Sequence, residues 1–195
     1  MSQKDIEQFF DNLAPKWDGM EIKKDEDILP LLQEIGIKEG DEILDLGCGT
    51  GRITSLLHSL SNGNVLGIDI SSNMIDIAKK KYEGKDYASF AVGDFISYKF
   101  DKKFDFVVIY NAFPHFLDKE GLKVALANVL KDGGRIAIIH SLSRFQLSKA
   151  HSSCNMKTTR NLLSPAEEGQ FFADLFDINI AKETDNSYMI VATKR

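Results

Sequence analysis

Three glycines on alternate positions, Gly47, Gly49 and Gly51, follow the acid Asp45 in the stretch EILDLGCGTG. A chain gives up side chains at this density where its backbone turns tightly or where a ligand lies against its N–H groups. The spacing is not the G-x-G-x-x-G of dinucleotide sites, because position 52 is Arg, and no Lys-Ser/Thr ending marks a phosphate loop. An acid ahead of the glycines would repel a pyrophosphate and suits a cationic ligand. Asp69 closes the next apolar run, VLGID, 22 residues after Gly47. A carboxylate there can accept hydrogen bonds from both hydroxyls of a ribose. Further on, VGDF offers Asp94, suited to an exocyclic amine, beside the apolar Phe95, and VVIYNAF offers Asn111. Met74, in a helical stretch capped by Ser71 or Ser72, is placed to lie on a flat ring. An adenosine joined to a charged amino-acid sulfonium fits this set.

The elements that must position these residues are read from periodicity. From residue 42 short Ile- and Val-rich runs alternate with amphipathic stretches: EILDL, 51–60, VLGID, 72–82, ASFAV, FDFVVIY, 118–130 and GRIAIIH. Such alternation argues for an α/β fold, a parallel sheet with helices on both faces. In that architecture ligands sit beyond the carboxyl ends of the strands, which is where the four signals fall. Ahead of the sheet, Ile6, Phe9, Phe10 and Leu13 form one helical stripe that Pro15 is expected to stop. A second helix spans 25–37, kinked at Pro30 and ended near Gly36. LFDINIAKET and SYMIVATK, separated by Asp185 and Asn186, read as a terminal antiparallel hairpin.

At these residues the sequence resembles the class I S-adenosylmethionine-dependent methyltransferases, over roughly residues 40–140, with LDLGCGTG the more specific motif. The resemblance implies a Rossmann-like, seven-stranded, mostly parallel sheet in the order 3-2-1-4-5-7-6 with strand 7 antiparallel. It implies S-adenosyl-L-methionine as cofactor. Asp45, Gly47, Gly49 and Gly51 would hold its methionine part, with Cys48 a small neighbour. Asp69, followed by Ile70, would bind the ribose. Met74 and Phe95 would flank the adenine, Asp94 would meet its amine, and Asn111 would line the methionine side. FFDNLAPKWDGM resembles the N-terminal lid of the branch that holds quinone-ring and small-molecule methyltransferases, which adds Trp17 to the cofactor set. The implied reaction is in-line methyl transfer to a small-molecule acceptor, the alternative being a non-catalytic cofactor-binding or regulatory module.

The whole chain reads as one methyltransferase domain, residues 1–195, with 1–36 as a helical lid and 141–164 as an acceptor-side insertion. That insertion starts behind His140 and carries Arg144, His151 and Cys154. His115, His140 and His151 are the expected acceptor-pocket residues, with His140 as base or orienting group and Arg144 for an anionic portion of the acceptor. No zinc-type spacing is present, so no metal is expected. With 24 basic and 29 acidic residues the formal charge is −5, which argues against a nucleic-acid partner. No apolar run approaches the ~20 residues of a membrane helix, and the first residues lack a secretory core, so a cytoplasmic protein with no membrane partner is expected. The NPPY-type tetrad of nucleic-acid amino methyltransferases is absent; YNAFPHF stands at the fourth strand.

Overall fold

Short β-branched runs bury both faces of a sheet, and the alternation of side chains then builds two cores at once. The computed structural model describes residues 2–20, 23–149 and 161–195, and the backbone alone of 150–153. Its strands are β1 (Ile43–Leu46), β2 (Val65–Asp69), β3 (Ala88–Val92), β4 (Phe104–Tyr110), β5 (Leu130–His140), β6 (Phe176–Thr184) and β7 (Ser187–Lys194). They form a seven-stranded sheet in the order β3-β2-β1-β4-β5-β7-β6. β1 pairs in parallel with β2 and β4, and β4 in parallel with β5. β7 runs antiparallel to both β5 and β6, with the hairpin turning at Asp185 and Asn186. This is the order and polarity that the resemblance implies.

The helices are α1 (Gln3–Met20), α2 (Asp25–Glu34), α3 (Thr54–Ser61), α4 (Ser72–Lys81), α5 (Lys119–Val129), α6 (Arg144–Ser153) and α7 (Pro165–Phe172). One core sets Leu44, Leu46, Val107, Ile109, Ile136 and Ile138 against Leu122 and Leu126 of α5 and Phe172 of α7. The other sets Ile43, Val65, Phe106, Val108, Ala137 and Ile139 against Ile28 and Leu32 of α2 and Leu57 of α3. Consecutive residues of β1, β4 and β5 thus go to opposite cores. None of the helices among the described residues is long and apolar enough to cross a membrane.

Two expectations change. Pro15 does not stop α1, which runs on to Met20. Proline removes the N–H that would bond the carbonyl four residues back. Here that carbonyl, Asp11, accepts instead from the side-chain amide of Asn73 at 3.1 Å, so the interruption costs no unpaired group. Within residues 141–164 lies α6, starting at Arg144; the second change concerns the lid. Of the expected cap over 1–36, α2 belongs to the core, with Ile28 and Leu32 fully buried. Only α1 lies outside it, packed on α4.

Deleting residues 1–20 is therefore expected to leave the sheet intact. The truncated protein should retain near-ultraviolet circular dichroism and unfold in a single urea transition; a molten or aggregated product would show that α1 is core.

Candidate active site

The glycine loop is built by backbone geometry first. Gly47, Gly49 and Gly51 all adopt left-handed conformations, with φ of 71°, 53° and 77°. The N–H groups of Gly47 and Cys48 donate to the carbonyl of Ile68 at 2.8 and 3.1 Å. That of Gly51 donates to Cys48, and that of Gly49 to Asp69 Oδ2 at 2.8 Å. These N–H groups are spent on the protein's own carbonyls and on the Asp69 carboxylate, not left open. The glycines serve close approach instead. A Cβ at Gly47 would lie 2.6 Å from Ala112 Cβ, and one at Gly51 2.8 Å from the Tyr82 ring. A Cβ at Gly49 would come 3.4 Å from Trp17 Nε1.

Beyond the carboxyl ends of the strands, and under α1, lies a cavity of ≈ 400 Å³. This is within the ~300–1,000 Å³ typical of small-molecule sites. Trp17, Asp45, Gly47, Cys48, Gly49, Asp69, Ile70, Met74, Asp94, Phe95, Asn111 and His115 all line it. Asp45 is fully buried, accepts from Thr54 Oγ1 at 2.9 Å, and is pushed up to about 7 by burial, with Asp69 adding repulsion. Asp69 accepts from Gly49 N–H with one oxygen and from Ser71 N–H, at 2.9 Å, with the other. Burial raises its carboxyl above the usual range in spite of those bonds. Burial also pushes the Cys48 thiol well up, which suits a filler and not a nucleophile. Asp94 turns part of its capacity inward, accepting from Ile96 N–H and Ser97 Oγ.

Asn111 is one of two non-glycine residues described with positive φ, at 55°. Its amide oxygen accepts from Ser141 N–H and its Nδ2 donates to Ser141 Oγ, each at 3.0 Å, tying the end of β4 to the end of β5. Strain of this kind is held where surrounding structure over-determines it.

α1 closes the cavity. Asp11 Oδ1 accepts from Ser71 Oγ at 2.6 Å and Asn73 N–H at 3.1 Å, so an acid of α1 caps α4. Asp18 pairs with Lys81 at 2.8 Å and accepts from Thr50 Oγ1. On the same helix Gln3, Ile6, Phe10 and Trp17 face inward, and Phe10 meets the His115 ring edge-on, centroids 4.9 Å apart.

Several expected residues are not brought to the cavity. His140 is wholly buried, edge-on to Tyr188 at 5.7 Å. It follows Ile139, which faces the α2–α3 core, so alternation turns it to the opposite face of the sheet. Arg144 gives its Nε to Glu183 at 2.8 Å and its N–H to the same carboxylate. Gly51 faces Tyr82 and Phe90 instead of the cavity. The side chain of His151, and all of Cys154, fall outside the described residues. Among the described residues no cluster of His, Cys, Asp and Glu could hold a metal. Gln3, Ile6, Phe10, Phe116, Leu117 and Asp118 also line the cavity, though nothing in their spacing marks them as ligand-facing. Asp118 was visible as the acid before a helix, where it accepts from Gly121 N–H at 2.8 Å.

Residues 37–190 match the family model for the methyltransferase domain. The chain belongs to that family. It is 34% identical over 112 residues to a putative methyltransferase, 235L, of Invertebrate iridescent virus 6, covering 57% of this chain and 41% of that protein. It is 30% identical over 151 residues to the demethylmenaquinone methyltransferase of Thermotoga maritima, covering 72% of this chain and 63% of that one. The chain thus spans about 41% and 44% of the first two curated relatives that it matches. A SAM-dependent methyltransferase from Aquifex aeolicus superposes with a TM-score of 0.73 at 19% identity, over 95% of this chain and 98% of that one.

The position of Asp45 fixes a pH signature. Its folded value of about 7 lies above the ordinary 3.8, so between those limits the folded state holds a proton that the unfolded chain has lost. The stability this contributes is complete below the lower value and is lost as pH rises through the upper one. Urea midpoints should fall from pH 5 to pH 7.5, and fall less in Asp45→Asn; equal slopes would remove Asp45 as the source.

Proposed function

We propose that this protein transfers a methyl group from S-adenosyl-L-methionine to a small-molecule acceptor. The observation that carries the reading is the cavity under α1, in which Asp45, the glycine loop, Asp69, Met74, Asp94 and Phe95 converge from successive strand ends. Asp69 fits a ribose because its two oxygens, one accepting from Gly49 N–H and the other from Ser71 N–H, keep acceptor capacity for a ligand hydroxyl. Met74 and Phe95, both nearly fully buried, supply flat apolar walls for adenine, and Asp94 its amine acceptor. Asp45 and Asp69 suit a ligand that carries positive charge. Membership in the methyltransferase family and the likeness in fold support the same reading.

The cofactor supplies a methyl carbon already activated on a sulfonium. The protein's part is alignment, which can account for a large share of such an acceleration. α1 acts as the lid that keeps water away from that carbon, latched through Asp11 and Asp18. His115 is the group in the cavity suited to take a proton from the acceptor.

Calorimetry should detect binding of S-adenosylmethionine, weakened at least ~10-fold in Asp69→Ala, since charged hydrogen bonds are worth about 1.5–3 kcal/mol each. Unchanged affinity in the folded variant would sink the ribose assignment. Removing residues 1–20 should weaken the same binding, as expected of a lid.

For His115→Ala the expectation differs: cofactor binding survives and turnover falls ~100-fold, the scale of a lost acid–base group. Binding with no turnover in any acceptor screen would instead favour a regulatory module.

A further inference from the structure

Beyond the residues assigned above to the adenosine and methionine ends, the cavity is lined by residues of α1 and of the β4–α5 connection, with Arg52 and Tyr110 among others elsewhere on the wall. Ile6, Phe10, Phe116 and Leu117 make that wall apolar, and His115 and Asp118 are its ionisable groups. Phe116 lies beside the glycine loop, its ring 3.9 Å from where a Gly47 Cβ would stand, so this wall adjoins the reacting end of the cofactor.

The charge of the lining is one-sided. Asp69, Asp94 and Asp118 face Arg52 alone among the described lysines and arginines of the wall, while Asp45, pushed up to about 7 by burial, adds only part of a charge. Arg52 is already committed, to Asp25 at 2.6 Å and to the carbonyl of Lys23 at 2.8 Å. Arg144, the expected anion holder, is held by Glu183. The cofactor brings a single net positive charge, which leaves carboxylate charge in excess. An acceptor carrying a carboxylate or phosphate would enter an acidic cavity with no cation to receive it, at a cost that grows as water is excluded. A cationic acceptor meets the opposite situation.

We infer that the methyl acceptor is an apolar amine, its hydrocarbon or aromatic body against Phe10, Phe116 and Leu117 and its ammonium between His115 and Asp118. This rests on the methyl-transfer reading above. The ammonium gives one proton to the His115 imidazole. The freed lone pair then forms the N–C bond to the methyl carbon while the C–S bond breaks, its pair going to sulfur. The products are a methylammonium and a neutral thioether. Positive charge thus stays at the acceptor nitrogen beside Asp118, and the charge that leaves the sulfur is matched by the proton now held on His115, so the net charge inside the acidic wall is unchanged.

The experiment uses the full chain saturated with the demethylated product cofactor, S-adenosylhomocysteine, whose own binding is measured first by calorimetry. Phenethylamine, phenethyl alcohol and hydrocinnamate, which share an aromatic body, are then titrated in near neutral pH. The amine should bind at least ~10-fold more tightly than the acid, with the alcohol between them, a difference of about 1.4 kcal/mol. Asp118→Asn keeps a good helix cap and removes the charge, so it should narrow the amine–acid gap without altering cofactor affinity. Failure of the product cofactor to bind would defeat the methyl-transfer reading itself. If it binds but the amine does not, or the acid binds as well, or the gap is the same in Asp118→Asn, the amine assignment is overturned.

Discussion

The carboxylate of Asp69 accepts one N–H from the glycine loop and one from the start of α4, and much of the site hangs from that bridge. A hydrogen bond to a charged acceptor is stronger than a neutral one, and here a single side chain sets the distance between two loops. The order extends outward from it. Ser71, whose N–H Asp69 accepts, donates its hydroxyl to the Asp11 carboxylate, and Asp11 in turn fixes α1 over the cavity. Position along this chain of bonds, from sheet to loop to lid, is transmitted through three side chains. A carboxylate so placed is costly to bury, as the upward shift of its pKa shows. That cost is tolerated where a ligand later supplies the missing positive charge.

Much of this could be read from residues alone. Strand-end acids and glycines are short-range signals, and in a parallel sheet the carboxyl ends of neighbouring strands share one edge. Asp45, Asp69, Asp94 and Asn111 converge for that reason, although 66 positions separate the first from the last. What escaped depends on contacts between distant segments. Pro15 reads as a stop because proline breaks helices, and only Asn73, brought in from α4, rescues the carbonyl of Asp11. His140 sits at the right end of its strand but on the wrong face, and one residue of register decides between the two. The helix over Arg144–Ser153 has weak amphipathic patterning, so periodicity alone does not mark it.

The same comparison separates two uses of charge. Lys119 and the buried Glu168 pair at 2.7 Å, joining α5 to α7 on the face of the sheet away from α2. Each charge there has its partner within the protein. The carboxylates around the cavity are satisfied instead by hydroxyls and backbone N–H groups, which leaves their net charge uncompensated. A purely structural network would pair its ions, because an uncompensated buried charge destabilises.

The three glycines of the loop differ in what a mutation would meet. Gly51, at φ 77°, is pressed by the Tyr82 and Phe90 rings on the side away from the cavity. Gly49, at φ 53°, looks towards the cavity and Trp17, and its angle is one that asparagine tolerates. A lineage that stopped using the cavity would still be held to glycine at position 51 by folding alone, while position 49 could drift. Persistence of the last glycine in a distant descendant would therefore testify to ancestry and packing, and only the middle one would report on the ligand.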